Sequence, residues 1–326
     1  MSKETELVRS KAKELLESEE VELVLGYEAG TYVCRTTPLF ADKIEKAEKL
    51  IWNPFCVNNL PNLLAKGITE GIEGKVAVFV KGCDSRAVIR LLQDNQLKRD
   101  ELKVLGIPCN GNIDVDKIKD QVDISAITEA EVTESGVAIK TEDGSVKLSR
   151  EEALYDRCLD CRFPDPVIAD EIISDKVGEL PQDKNKDEEI AELEGKSTAE
   201  KNEYWEKYFE RCIRCYACRN ACSACTCREC VFDRDERSTW LAKGKTLSDN
   251  EAFHITRAFH VAGRCVDCGE CERACPMGIP IQKLNRKISL DMDELFGIGE
   301  IATSEEDIDN PPPLGEFLTE DPEEFM

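Results

Sequence analysis

No apolar run in this 326-residue sequence approaches the ~18 to 20 residues needed to cross a bilayer. The longest, such as Val76 to Val80, read as buried strand. Direct membrane insertion is therefore not expected, and any bilayer association would run through a partner. The N-terminus lacks the apolar segment of a secretory leader. Positive charge is scarce as well: 43 Lys and Arg face 67 Asp and Glu, for a net charge of −24. Nucleic acid demands a basic face for its phosphates, which argues against it as a partner. Most of those carboxylates read as a solvated acidic surface, one suited to docking on a basic partner. Nor is there a P-loop, a nucleophile triad or a paired general acid and base, so nothing points to hydrolysis or phosphoryl transfer.

Cysteine is what the chain has in excess, at 17 residues, an odd number. A disulfide scaffold belongs in a secreted chain with an even count; reduced, metal-bound thiolates in the cytoplasm fit better. The densest stretch runs Cys212, Cys215, Cys218, Cys222, and it is echoed by Cys265, Cys268, Cys271 and Cys275, followed by Pro276. Both read C-x2-C-x2-C-x3-C. Three thiolates two residues apart can wrap one face of an iron–sulfur cube, while the fourth ligates the other cube. The spacing assigns Cys212, Cys215, Cys218 and Cys275 to one 4Fe-4S cluster, and Cys265, Cys268, Cys271 and Cys222 to a second. A pair of structural zinc sites would want two C-x2-C pairs per ion instead.

Earlier in the chain, residues 4–18 read as an amphipathic helix and Val21 to Leu25 as a short strand ending at Gly26. Cys34 lies in a strand-like Thr-Tyr-Val-Cys segment and reads as a packed thiol. Residues 42–50 read as a helix; Cys56 after it either lines a metal pocket or binds metal. Lys75 to Val80 and Lys103 to Ile107 are continuous apolar strands joined by a helix over 86–93, a crossover unit with parallel strands. Cys83 and Cys109 then emerge at one sheet edge, where open α/β sheets bind ligands, with Asp84 and Ser85 as N-cap residues. A hairpin through Asp143-Gly144 leads to Cys158 and Cys161. Together Cys83, Cys109, Cys158 and Cys161 make a third 4Fe-4S site; a redox-active dithiol or half a zinc site is the alternative for the C-x2-C pair alone.

The fold expected is thus an α/β core with a parallel-strand crossover unit (residues 1–175) and a C-terminal α-helical ferredoxin domain carrying two 4Fe-4S clusters (204–290). A charged, partly helical linker (176–203) joins them and an acidic tail (291–326) follows. Cys225, Cys227 and Cys230 form C-x-C-x2-C. With a fourth ligand such as His260, His254, Cys56 or Cys34 they make a Cys3His or similar zinc site, or else they pack around the adjacent cube. His254 and His260, six apart, face different sides of a helix, and a surface role without metal suits each.

Two resemblances follow. Residues about 50 to 170 resemble the beta subunit of deazaflavin-reducing hydrogenases and the related formate-dehydrogenase beta-subunit-like proteins. The resemblance lies in Gly82-Cys83, in Gly106-Ile107-Pro108-Cys109, and in the hairpin leading to Cys158 and Cys161 with Asp165 and Asp170 downstream. Asn53 to Leu60 is similar to a stretch of the formate-dehydrogenase-type members. The family implies a 4Fe-4S cluster on Cys83, Cys109, Cys158 and Cys161 beside a flavin (FAD), although its Gly-rich helix start near the N-terminus has no counterpart here. Residues 204–290 resemble the gamma subunit of heterodisulfide reductase and similar helical ferredoxins, with Ser223 where proline usually follows the fourth cysteine. Together these imply an electron-transfer subunit linking a flavoprotein, hydrogenase or formate dehydrogenase type partner, or a ferredoxin, to another acceptor. A non-catalytic adaptor without flavin or substrate site is the rival. A pocket near Lys81, Ser85 and Arg86 would favour the enzyme.

Overall fold

The computed structural model describes residues 2–65, 72, 74–233 and 244–309. Helix α1 (Lys3–Glu17) opens on Ser2, whose hydroxyl accepts from the Thr5 amide, and buries Val8, Ala12 and Leu15. Strand β1 (Leu23–Ala29) runs past the expected stop. Gly26 lies inside it because a Cβ there would come within 2.6 Å of Leu50 Cδ2. Strands β2 (Thr36–Ala41) and β3 (Leu50–Ile51) pair antiparallel with β1. The helix expected over 42–50 is a single turn, α2 (Ile44–Ala47), since Leu50 and Ile51 are drawn into the sheet. Cys34 is in a turn closed by Arg35 N–H to Tyr32 C=O, not in a strand. Its thiol is nonetheless packed, as expected.

After the short helix α3 (Pro61–Leu63) comes the crossover unit: β4 (Val76–Val80), α4 (Gly82–Gln93) and β5 (Leu102–Gly106). Every residue of β4 is buried, as a strand covered on both faces requires. Strands β4 and β5 pair in parallel, Val80 opposite Gly106. Neither Asp84 nor Ser85 is the N-cap residue of α4, contrary to expectation. The helix begins at Gly82, Lys81 is the N-cap, and Asp84 accepts from the Lys81 amide.

Helix α5 (Val115–Ile118) leads to a second sheet, the antiparallel meander β6 (Ile127–Thr133), β7 (Gly136–Thr141) and β8 (Gly144–Leu148). Its apolar face joins Phe55, Ile113, Leu154 and Leu159 in a core of its own. Two one-turn helices, α6 (Arg150–Ala153) and α7 (Asp156–Leu159), carry the chain back to strand β9 (Glu171–Ile172). The main sheet thereby has the order β2-β1-β4-β5-β9, with β3 also on β1 and with β1, β4, β5 and β9 parallel.

The rest is helical: α8 (Lys186–Glu194), α9 (Thr198–Phe209), α10 (Ala217–Asn220), α11 (Leu247–His260), α12 (Glu270–Arg273) and α13 (Ile281–Phe296). No helix among the described residues is long and apolar enough to cross a membrane. Segment 176–203 is helical in part, as its composition suggests, but it is not solvated throughout. Leu180, Ile190 and Leu193 are buried, and Asp187 pairs with Arg286 of α13 at 2.7 Å. The few apolar residues in that acidic stretch are what hold it down. Of the acidic tail, residues Glu305–Asp309 form a 3-10 turn against α4, with Arg99 and Gln93 as partners, and 310–326 lie outside the described residues. The helical half is fastened to the α/β half by the buried pair Arg157–Glu270, by Arg86–Glu300 at 2.9 Å, and by Asn62 Nδ2 donating to the Ala221 carbonyl at 2.6 Å.

Candidate metal centres

The two cysteine runs fold as repeats of one another. In each, the residues flanking the second cysteine take left-handed backbone: Arg214 (φ 55°) and Tyr216 (φ 60°), then Asp267 (φ 53°) and Gly269 (φ 68°). Such φ values are uncommon outside glycine and mark a chain forced to curl. A one-turn helix follows each pair, α10 or α12, and the fourth cysteine sits just beyond it. The curl turns the first three thiols of the earlier run into one cavity, which Cys212, Cys215 and Cys218 line together with Cys275 of the later run. Cys222 leaves that group and faces Cys265, Cys268 and Cys271 electrostatically. Cys275 of the later run thus joins the first three cysteines of the earlier one, and Cys222 lies outside that cavity.

A third set forms at the carboxyl edge of the main sheet. Cys83 and Cys109 each stand three residues past the last paired positions, Val80 and Gly106. Cys83 can sit there because Gly82 has no side chain: a Cβ would lie 1.8 Å from the Phe163 carbonyl oxygen. Helix α7 brings Cys158, and the following turn brings Cys161. All four line one cavity, with Lys81, Arg86, Arg157 and Phe163 among its walls. Cys268 of the second set lines the same cavity, so the two sets are neighbours.

As free thiols several of these groups resist ionisation. Burial pushes Cys109 and Cys265 up to about 12, and neighbouring Cys158 and Asp267 respectively add to it. Burial likewise raises Cys161 and Cys218 to about 11. Thiols gathered in this way suit bound iron, which supplies the missing positive charge and deprotonates its thiol ligands outright. Among the described residues no group of three or more His, Cys, Asp or Glu could hold a single metal ion. In a cube each cysteine binds a different iron, so its sulfurs need not meet at one point. Donors to sulfur are present: the Gly111 amide to Cys109 at 3.4 Å, the Asn112 amide to Cys158 at 3.3 Å, and Asn285 Nδ2 to Cys271 at 3.5 Å. The residues present thus fit iron–sulfur ligation.

The remaining candidates fare differently. Cys225, Cys227, Cys230 and His260 line a broad cleft of about 1340 Å³ beside Cys222, without forming a site for one ion. The Cys225 thiol donates a hydrogen bond to the Cys222 sulfur, which lowers Cys222 and raises Cys225. His254 is buried, not on the helix surface: it stacks on Phe209 at 4.7 Å and lines the cavity of the first set. Burial and then Arg257 lower it to about 3, so it is neutral. Cys56 sits in the main core, where burial pushes it up to about 12, and Cys34 donates to the Ile124 carbonyl at 3.4 Å.

Lys81, Ser85 and Arg86 are occupied by the fold. Lys81 pairs with Asp84 at 2.7 Å and donates to Tyr27 Oη; Ser85 donates to the Gly82 carbonyl; Arg86 holds Glu300 and the Ile301 carbonyl. Asp165 accepts from the Val177 and Gly178 amides, and Asp170 pairs with Arg99. The residues that sequence reasoning passed over are arginines. Arg157 donates to the carbonyls of Cys268 (2.8 Å) and Val57 (3.0 Å) and pairs with Glu270, spanning the second and third sets. Arg257 lies on the buried stripe of α11 with Asn250, Phe253 and His254. An arginine at i, i+3, i+4, i+7 register with buried residues was the readable signal.

Comparison with known proteins agrees with this chemistry. Residues 208–279 match the family described as 4Fe-4S dicluster domain. Homologues are F420-dependent formate dehydrogenase beta subunits. The chain is 26% identical to the F420-dependent formate dehydrogenase subunit beta of Methanocaldococcus jannaschii over 341 residues, covering 87% of this chain and 88% of that protein. It is 27% identical to the F420-dependent formate dehydrogenase 1 subunit beta of Methanococcus maripaludis, covering 85% of each. Among solved structures, a chain of the F420-reducing NiFe hydrogenase complex from Methanosarcina barkeri aligns with a TM-score of 0.39 and 18% identity, over 49% of this chain and 58% of that one.

Proposed function

We propose that this chain is an iron–sulfur electron-transfer subunit of a soluble, cytoplasmic, multi-subunit oxidoreductase, of the formate dehydrogenase or hydrogenase type. The observation that carries the reading is the assembly of twelve cysteines into three neighbouring sets of four. Three 4Fe-4S clusters, one in the α/β region 1–175 and two in the helical region 204–290, supply single-electron storage when bound.

The chain's own residues set the order of the sets. Cys268 belongs to the second set and lines the cavity of the third. Cys218 and Cys222, four residues apart across α10, divide between the first and second. The second set is thus the middle station. Arg157 clamps it to the third from the α/β side, and Phe163 and Arg86, the latter paired with Glu300, wall the third cavity. At the other end Cys215 is exposed, beside half-exposed Ile213, and gives the first set an outlet toward a partner subunit.

The adaptor reading gains from one observation: the sheet-edge cavity walled by Lys81 and Arg86 is the one the four cysteines line, and Lys81, Ser85 and Arg86 are already engaged within the fold. The enzyme reading, with FAD, draws on the formate dehydrogenase relatives. Iron and flavin analysis of anaerobically purified protein separates them. About twelve irons per chain, four for each set, are expected on either reading. One flavin per chain then supports the enzyme, and its absence the adaptor. An iron-free preparation containing zinc would overturn both.

A further inference from the structure

Helix α11 brings a charge to the place where the two cysteine runs meet. Arg257 is 3% exposed. Its Nη2 donates to the Cys218 carbonyl at 3.1 Å, while its Nε and Nη1 have no hydrogen-bond partner among the described residues. The groups that stabilise its charge are sulfurs: Cys222 first, then Cys271, Cys225 and Cys218. An unpaired buried guanidinium is strongly unfavourable, and burial normally comes with a carboxylate that uses the fork of donors. Arg257 instead lies, with two donors unsatisfied, within electrostatic reach of cysteines of both helical sets, Cys218 from the first and Cys222 and Cys271 from the second.

We propose that Arg257 is the fixed buried cation of the helical cluster pair, one that tunes the sulfur ligands around it and raises the reduction potential of the second set most. Reduction adds negative charge, and a nearby cation in a low-dielectric interior favours the reduced form. Hydrogen bonds to sulfur act in the same direction. The middle station of the relay would then accept electrons more readily than its burial alone would allow. Asn285, which donates to Cys271 Sγ at 3.5 Å, works alongside it from α13 without charge.

This role rests on the iron–sulfur reading, and its test keeps the two apart. Full-length protein purified anaerobically is titrated potentiometrically with EPR detection, as wild type, Arg257→Gln and Arg257→Lys. With iron retained, Arg257→Gln is expected to shift the reduced-to-oxidised ratio of the second set at least tenfold toward oxidised at a fixed potential, about 59 mV for one electron. The third set, on the α/β side, stays where it was. A change below threefold at full iron would overturn the role. Should Arg257→Gln lose iron, Arg257→Lys decides. A shift of less than tenfold at full iron upholds a charge effect, and a larger one overturns it. Loss of iron from both variants would overturn it too, since a tuning residue leaves ligation intact. A wild-type protein with no cluster signals would defeat the iron–sulfur reading itself, whereas signals present but unmoved defeat only the part played by Arg257.

Discussion

The cysteines of the helical half and those of the α/β half reach the same arrangement by opposite means. In the helical half, spacing does the work. Two eleven-residue runs each curl through a pair of left-handed residues and a one-turn helix. In the α/β half nothing local would gather the thiols. Cys83, Cys109 and the pair Cys158 and Cys161 are brought together by parallel strand register, by a glycine that lets α4 start against the Phe163 carbonyl, and by the return of the chain through α7. A repeated run tolerates distant changes because its geometry is written in consecutive residues. A set built on tertiary packing depends on every element that positions it, and here also on the Arg157–Glu270 clamp to its neighbour.

That contrast can be broken or sharpened by substitution. The largest effect is expected for Cys268→Ser, which removes a ligand of the middle set. About four of twelve irons should be lost, seen by iron assay, with the α/β core still folded by circular dichroism. Full iron in this variant would contradict the ligand assignment. Next, Arg157→Ala leaves buried Glu270 with Arg273 alone and removes donors to two carbonyls. A loss of about 3 kcal/mol is expected by denaturant titration, with third-set iron lost before first-set iron. Gly82→Ala places a methyl group against the Phe163 carbonyl and should cost about 2 to 3 kcal/mol, again with iron lost from the α/β side only; the helical sets serve as the internal control. Smallest of all, Cys34→Ala deletes a packed thiol, with about 1 kcal/mol lost and iron unchanged.

Acid should act on the strap between the two regions. The Arg286 guanidinium holds the Asp187 carboxyl below its usual range, and at Asp267 the pull of Lys186, Gln282 and Arg286 outweighs burial and also lowers the carboxyl. A carboxylate with a depressed pKa in the folded state contributes stability above its unfolded value, ordinarily about 3.9 for aspartate. That contribution is lost as pH falls through the folded value. Limited proteolysis within 176–203 should therefore rise as pH drops below about 4 and stay flat above about 5. Protection that is unchanged down to the acid limit would remove these carboxylates from the account.

The same contrast explains what was legible beforehand. The crossover strands, the hairpin and the repeat could be read from the sequence because continuous apolar runs, a Asp143-Gly144 turn and fixed cysteine spacing are local signals. The burial of His254 and Arg257 was not read, because polar side chains on a helix are assigned to solvent unless something buried is known to lie opposite. The packing of 176–203 was hidden by its acidic composition, which conceals Leu180, Ile190 and Leu193. The short α2 and the turn at Cys34 reflect strand pairing with β1 and the second core, neither of which leaves a local trace.

Spin quantitation by EPR on the fully reduced, anaerobically purified chain tests the central claim most directly. Three sets of four cysteines should give about three interacting spins per chain, one from each 4Fe-4S cluster. Only two spins in the wild type, unchanged in number when Cys109 is replaced, would show that the sheet-edge cysteines hold no cluster, and a spectrum without any would remove the relay altogether.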